Sequence, residues 1–364
     1  MTDFRIACLG DVMCGDQFQQ IGWGISAAID RYGKDFLSSD IISILDSHDL
    51  VLCNIESALS DIGRNDKSVR SLHMRGRPST ARWLKEWGIN MATVANNHIL
   101  EHGLDAAEDT VRVLQENNIM VVGTDTNRRF TGLPDWTDIK LNGHPVSVIG
   151  FCLRKEKYAY TYSEDLQLIY TQIQEKKEAG NTVIVSVHWG DELIDRPSLS
   201  QRKIAYELLA SGAVLVAGHH PHVVQGIFNQ QGGLVLYSLG NFIFDSWCRH
   251  TSWSIIASVG IHNGSVSDYQ IFPIIRSEDY RPILAEGAMR DRLLVEVKKR
   301  NKLAERLLND EQGYLKQYQD ELRRLTLKDR FSLWLRIVMY FWKIPFRYWC
   351  GVFLRPILRR TGNW

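Results

Sequence analysis

Residues 181–225 read NTVIVSVHWGDELIDRPSLSQRKIAYELLASGAVLVAGHHPHVVQ. The run NTVIVSVHWG is apolar and rich in β-branched residues, as a buried strand requires. It is followed by LSQRKIAYELLASG, whose apolar residues recur at helical spacing and which closes at Gly212 in the manner of a helix C-cap. A second apolar run, AVLVAGHH, comes next. Strand, helix, strand in this order is the punctuation of an α/β protein, and both strands end in histidine.

The same alternation runs outward in both directions. FRIACLG (4–10), LVLCNIE (50–56), INMATVANN (89–97), IMVVGT (119–124), PVSVIGFC (145–152) and LVLYSLGNFIF (234–244) are strand-like. Amphipathic stretches such as LDAAEDTVRVLQENN and EDLQLIYTQIQEKKEAG lie between them. SWSIIASVGIH and SVSDYQIFPIIR, joined through HNGS, predict an antiparallel pair, so the sheets should be mixed. Composition shifts near residue 285, which divides the chain into an α/β part at 1–285 and a helical extension at 286–364. From Arg323 onward ten Lys or Arg face a single acid, Asp329, so this tail carries +9 and the remainder −8. On a helical projection Phe331, Trp334, Leu335, Val338, Phe341, Trp342 and Trp349 gather opposite Arg336, Lys343 and Arg347. A basic face against an aromatic one suits a helix lying on a membrane surface, or packing on the body or a second subunit. Pro345 and Pro356 should kink or divide it.

Composition removes several function classes. With 364 residues, 45% hydrophobic and 23% charged, the chain can bury a core without disulfides or structural metal. A net charge of +1 argues against bulk nucleic-acid binding, which needs an excess of cations. The six cysteines show no paired spacing and read as reduced thiols of a cytoplasmic protein. The start MTDFRIACLGDVM enters a strand at once, without the pattern of a secretory leader.

Chemistry-bearing residues collect at the carboxyl ends of the predicted strands, where α/β sheets place their ligands. Asp11 and Asp16 follow the first strand, Asn54 and Glu56 the second, and Asn96, Asn97 and His98 the third. His188 and Glu192, then His219, His220 and His222, then Asn241 and Asp245 complete the set. One histidine after a strand is ordinarily structural, but several strand ends bearing such groups point to a metal site. Imidazole mixed with carboxylate and amide oxygen suits Mn, Fe, Zn or Mg, as one or two ions. Two ions bridged by a carboxylate would make this a hydrolytic centre.

In order and approximate spacing, GDVM, NIES, ANNH with Gly103, HWGDE, GHHPHVVQ and YSLGNFIFD resemble the CapA family, the poly-gamma-glutamate or capsule synthesis proteins. Through it the chain resembles the calcineurin-like metallophosphoesterases. The resemblance implies a four-layer fold, two sheets packed as a sandwich and flanked by helices. It further implies Asp11 as a ligand of one metal, Glu56 in the bridging position, and Asn97 as a ligand of the second metal. His98 would protonate the leaving group, His188 and His220 would hold the second metal, and His222 would return to the first. His219 would support the ligands from outside. The implied substrate is a phosphorylated molecule or anionic polymer, and the implied partners are the capsule or polysaccharide synthesis machinery.

Other positions carry simpler expectations. Asn54 is expected to cap a following helix. Glu192 and Asp245 should orient imidazoles or form salt bridges, and Glu101, in NNHILEHG, stands where the family more often has an aspartate, which suggests a support role. Arg75 and Arg77 read either as surface arginines or as contacts to an anionic substrate. Met13 stands where ordinary metallophosphoesterases have a histidine ligand, so the site should be mononuclear, weakly binuclear, or completed by Asp16. Three functions follow: a metal-dependent hydrolase or transesterase in envelope polymer synthesis, a non-catalytic assembly factor at the inner membrane face, or a nucleotide or lipid-linked phosphatase.

Overall fold

The computed structural model describes residues 2–125, 134–154, 166–230, 232–245, 249–305 and 311–353, with the side chains of 249, 304–305, 326 and 328–337 left out. Its strands are β1 (Phe4–Val12), β2 (Leu50–Ile55), β3 (Ala58–Leu59), β4 (Arg75–Gly76), β5 (Met91–Thr93), β6 (Met120–Val122), β7 (Thr137–Leu141) and β8 (His144–Cys152). They continue with β9 (Thr182–His188), β10 (Ala213–His219), β11 (Ile227–Gln230), β12 (Gly233–Leu236), β13 (Asn241–Ile243), β14 (Trp253–His262), β15 (Ser265–Arg276) and β16 (Pro282–Leu284). The helices are α1 (Ile25–Tyr32), α2 (Ser39–Asp46), α3 (Val69–Leu72), α4 (Thr80–Glu86), α5 (Leu104–Glu116), α6 (Leu166–Glu178), α7 (Leu199–Ser211), α8 (Gly287–Glu305) and α9 (Glu311–Tyr340).

Eight strands form one sheet in the order β16-β15-β14-β1-β2-β5-β6, with β13 paired to β1, and six form a second, β11-β12-β10-β9-β8-β7. Alternation along β1 shows how the layers are built. Phe4, Ile6 and Cys8 enter an inter-sheet core with Val148, Ile184, Leu215 and Leu236 of the second sheet. Ala7 and Leu9 face the other way, in a cluster with Ile41 and Leu45 of α2 and Leu84 of α4. In the second sheet Val183, Val185 and Val187 likewise join Ile169 and Ile173 of α6 and Leu208 of α7. Helices, sheet, sheet, helices is therefore the four-layer α/β sandwich that the sequence resemblance implied. Strands covered on both faces explain the unbroken apolar runs.

The opening stretch folds as β9, α7 and β10. Ser198 and Gln201 close a capping box at the start of α7, and Gly212 ends it in the left-handed conformation at φ 119°. The antiparallel pair is β14 with β15.

Helices α8 and α9 and the segment after them pack on the preceding elements. Leu293 and Val297 of α8 join the inter-sheet core, the Asn301 side chain accepts from Ile227 N at 2.7 Å, and the Arg300 guanidinium donates to the Val224 carbonyl. Tyr314 and Tyr318 of α9 cover Ile194, and the Tyr318 hydroxyl donates to Asp191 at 2.7 Å. The amphipathic tail is divided at Pro345, as the sequence predicts. α9 ends at Tyr340, 3-10 turns follow at Phe341–Lys343 and Phe346–Tyr348, and Pro345, which has no N–H and a fixed φ, separates them. Ile344, Tyr348 and Val352 then bury themselves against Phe18, Ile21, Val69 and Leu72. The side chains of Phe331, Trp334, Leu335 and Arg336, and Pro356 with the rest of the terminus, lie outside the described residues.

Cys8, Cys14, Cys53 and Cys152 are buried free thiols, as expected, whereas Cys350 is exposed and Cys248 lies outside the described residues. No helix among the described residues is long and apolar enough to cross a membrane.

Candidate metal centre

Strand register assembles the site. Asp11 of β1 sits opposite Asn54 of β2 and Asn241 of β13, and His188 of β9 sits opposite His219 of β10. Because these pairings are parallel, every one of these side chains arrives at the same edge of its sheet. The backbone bends sharply there. His220 and His222, either side of Pro221, hold φ 95° and 58°, values a non-glycine residue adopts at a cost of order 1–3 kcal/mol. Such strain turns both imidazoles back toward Asp11 and Glu56.

Asp11, Glu56, Asn97, His188, His220 and His222 come together, all with relative exposure of 8% or less. His188 Nε2 lies 2.8 Å from Asn97 Oδ1, 3.0 Å from His220 Nδ1 and 3.7 Å from Glu56 Oε1. His222 Nε2 lies 3.6 Å from that same Glu56 oxygen, and His222 Nδ1 lies 3.3 Å from Asp11 Oδ2. Two sets of potential ligand atoms, each within 4.8 Å, thus share Glu56: one with His188 and His220, the other with Asp11 and His222. Glu192, which is exposed, forms a third set with His220 and His222.

Protonation follows from burial and neighbours. Burial, reinforced at His220 by neighbouring His188 and at His188 by His219 and His222 against the pull of Asp11, pushes the pKa values of both imidazoles well below the ordinary histidine value, so their lone pairs are available. Burial also opposes a charge on His222, but Glu56 and Asp11 outweigh it and push its pKa up to about 10. Asp11 is held well below the usual carboxylate range because the contacts to His219 and His222 outweigh its burial. Two buried carboxylates thus create at His222 a demand for positive charge that a cation would meet. His220 Nε2, fully buried, has no hydrogen-bond partner among the described residues. Neutral imidazoles, two carboxylates and amide oxygens converging on one another fit a divalent cation.

Several neighbours depart from expectation. Asn54 caps no helix: it lies inside β2, donates to Asp11 Oδ1 at 2.8 Å and to Glu56 Oε2 at 3.3 Å, and accepts from Asn96 at 3.1 Å. The strand continues through Asn54, so its amide points into the site. Asp245 touches no imidazole among the described residues; it accepts from the backbone N–H of Gln17 at 3.0 Å and holds the loop after β1. Asp16 completes no ligand set, because its two oxygens accept from Gly22 N at 2.9 Å and Ser26 N at 2.8 Å. Met13 fills its position as an apolar plug with Met74 and Phe244, whose ring lies 4.7 Å from that of His222.

His98 stands at the rim, its Nδ1 2.8 Å from Glu101, so Glu101 does support it. His73 joins this cluster, its Nε2 3.7 Å from Glu101, and no spacing in HMRGRP signals it. His219 sets its Nδ1 3.2 Å from Asp11 Oδ1, and Asn241 Oδ1 lies 2.9 Å from His222 Nδ1. Arg75 is buried, not a surface residue.

The four-layer α/β sandwich, with histidines and carboxylates gathered at its parallel strand ends, defines an α/β protein with a candidate metal centre. Comparison with known sequences narrows the class. Residues 5–246 match the family described as bacterial capsule synthesis protein PGA_cap, more than half of the chain, and the chain belongs to that family. It is 27% identical to the capsule biosynthesis protein CapA of Bacillus anthracis over 73% of this chain and 66% of that protein. It is 24% identical to the PGA biosynthesis protein CapA of Bacillus subtilis, covering 73% and 70% of the two chains. The matched stretch thus spans about two thirds of these relatives' own length. Among solved structures, one described as a novel phosphatase from Mycoplasma pneumoniae aligns with a TM-score of 0.48 and 15% identity, over 76% of this chain and 95% of that one.

Proposed function

We propose that the chain is a CapA-type metal-dependent hydrolase or transesterase, acting on a phosphoester or polymer-linked bond in capsule, poly-gamma-glutamate or exopolysaccharide synthesis. The observation that carries this reading is the pair of ligand sets sharing Glu56. Glu56, His188, His220 and Asn97 would hold one divalent ion, and Asp11, Glu56 and His222 a second; bound there, they would supply positive charge for an oxyanion that develops during bond cleavage. The chain's own groups do the rest. His98, steadied by Glu101, is placed at the rim to protonate a leaving oxygen, a role worth typically 10²- to 10⁴-fold in rate. Asn54 links the Asp11 and Glu56 carboxylates by donating to both.

The test is elemental analysis and Mn²⁺ titration of the purified protein, with turnover of an aryl phosphodiester. Metal binding and turnover should both vanish in His188→Ala and His220→Ala, and a wild-type protein that takes up no metal under any condition overturns the reading. A second reading, a non-catalytic assembly factor, is favoured by Met13 plugging a usual ligand position. Under it, His98→Ala would fully restore polymer production in a deletion strain. We also propose that 286–364 acts as an extension to a body at 1–285, and that it rests on the inner face of the membrane. Exposed Val338, Met339, Trp342 and Phe346 beside exposed Lys343 support a lipid contact.

A further inference from the structure

A cavity of about 270 Å³ lies between the loop that leads into α1, strand β4 and the C-terminal segment. Four guanidinium groups line it: Arg64, Arg75, Arg77 and, from the C-terminal segment, Arg347. Three carboxylates line it too, but they are already engaged. Asp66 pairs with Arg64 at 2.8 Å, Asp30 with Arg77 at 4.0 Å, and the oxygens of Asp16 accept backbone N–H groups. Arg75 is different. It is 97% buried, as its 3% exposure shows, and it donates through one nitrogen to the Ile62 carbonyl at 3.1 Å. Its Nε and Nη1 have no hydrogen-bond partner, and it forms no ion pair among the described residues.

A buried guanidinium with orphan donors is costly unless an anion meets it. Burial and neighbouring Arg64 both pull the Arg75 pKa below the usual arginine value, and the smaller opposing pull of Asp61 does not offset them. Arg347 adds an exposed guanidinium across the cavity, on a segment tied down where the Tyr348 hydroxyl donates to the Asp66 carbonyl at 2.8 Å. The cavity is small beside the ~300–1,000 Å³ of pockets for whole small molecules, and suits one charged group with its attachment.

We propose that this cavity is an anion subsite, taking one carboxylate or phosphate group through Arg75 and Arg347. Planar guanidinium forks match either group bidentately. The same segment borders both sites, because Met74, next to Arg75, packs on Met13 and Phe244 beside His222. A substrate chain carrying repeated anionic groups could therefore rest one of them here while a bond is held at the metal centre. That last assignment rests on the function proposed above; anion binding itself does not.

The test is calorimetric titration of the full-length protein, at constant ionic strength, with inorganic phosphate in one arm and tri-glutamate in the other. At least one probe should bind saturably, and comparison of the arms decides between phosphate and carboxylate. Binding should survive in His188→Ala, which lacks the metal centre, and weaken about tenfold or more in Arg75→Gln and in Arg347→Gln. Arg347 is exposed, so its variant should fold even if Arg75→Gln does not. Absence of saturable binding of both probes, or wild-type affinity in Arg347→Gln and any folded Arg75→Gln, overturns the proposal. So does binding that disappears in His188→Ala and persists in the arginine variants, since the anion would then sit at the metal centre. Subsite binding without phosphodiester turnover would count against the catalytic reading alone.

Discussion

Asn54 satisfies two carboxylates with a single amide, donating to Asp11 and Glu56 while its oxygen accepts from Asn96, all without access to water. Asn54→Ala strips a donor from each carboxylate and should cost about 1–3 kcal/mol in chemical denaturation. Divalent-metal affinity should fall about 10- to 100-fold in the same variant, as when ligand-orienting partners are removed; unchanged affinity would contradict the role given to it. Glu101 makes a pH-dependent case. Burial opposes its ionisation, but His73 and His98 outweigh it and lower its pKa from 4.5 to about 2. Stability from these contacts is therefore fully present above pH 4.5 and is lost as pH falls toward about 2. Thermal melts of wild type and Glu101→Gln should differ most above that window and draw together through it. A constant separation would refute the assignment.

At the scale of the element, β10 carries a tight constraint. A Cβ on Gly218 would lie 2.2 Å from the Tyr237 carbonyl oxygen and 2.6 Å from Trp189 Nε1. Trp189 donates to that same carbonyl at 2.9 Å, so glycine lets the segment after β9 lock onto the end of β12. Gly218→Ala should destabilise the fold by about 1–3 kcal/mol, the usual cost of overpacking, and should shift His219 and His220 with it. Calorimetric melting and metal titration would read both effects. Helix α7 offers a milder control: Ser198→Ala removes the capping box, expected to cost about 1 kcal/mol with metal affinity unchanged. The strands and helices were legible because strands sandwiched between layers are apolar throughout, and helices against them keep a 3.6-residue stripe. The role of Asn54 was not legible, because the motif of an N-cap and that of a strand residue turned into a site are the same letters.

Over the whole molecule, the C-terminal extension decides what a membrane assay can mean. Removing residues from Leu325 onward would also uncover Phe18, Ile21, Val69 and Leu72, which Ile344, Tyr348 and Val352 cover. Surface variants are therefore the sound test. Trp342 and Phe346 are 65% and 80% exposed, and Trp342→Ser with Phe346→Ser should release the protein from anionic liposomes in sedimentation while leaving its melting temperature unchanged. Binding should fade in high salt, since each basic residue contributes at most ~1 kcal/mol near the surface; equal partition of both proteins would end the idea. The amino-acid order by itself determined the α/β class, the four-layer arrangement through its resemblance, and the strand ends at which Asp11, Glu56, Asn97, His188, His220 and His222 sit. Local periodicity and short motifs carry that information, because burial on two faces and capping act over a few residues. Only the tertiary structure decided that Asn54 faces Asp11, that Asp16 and Asp245 brace a loop, and that Arg75 is buried beside Arg347. Those outcomes depend on register between distant strands and on where the terminal segment packs, both set by the summed burial of the whole chain.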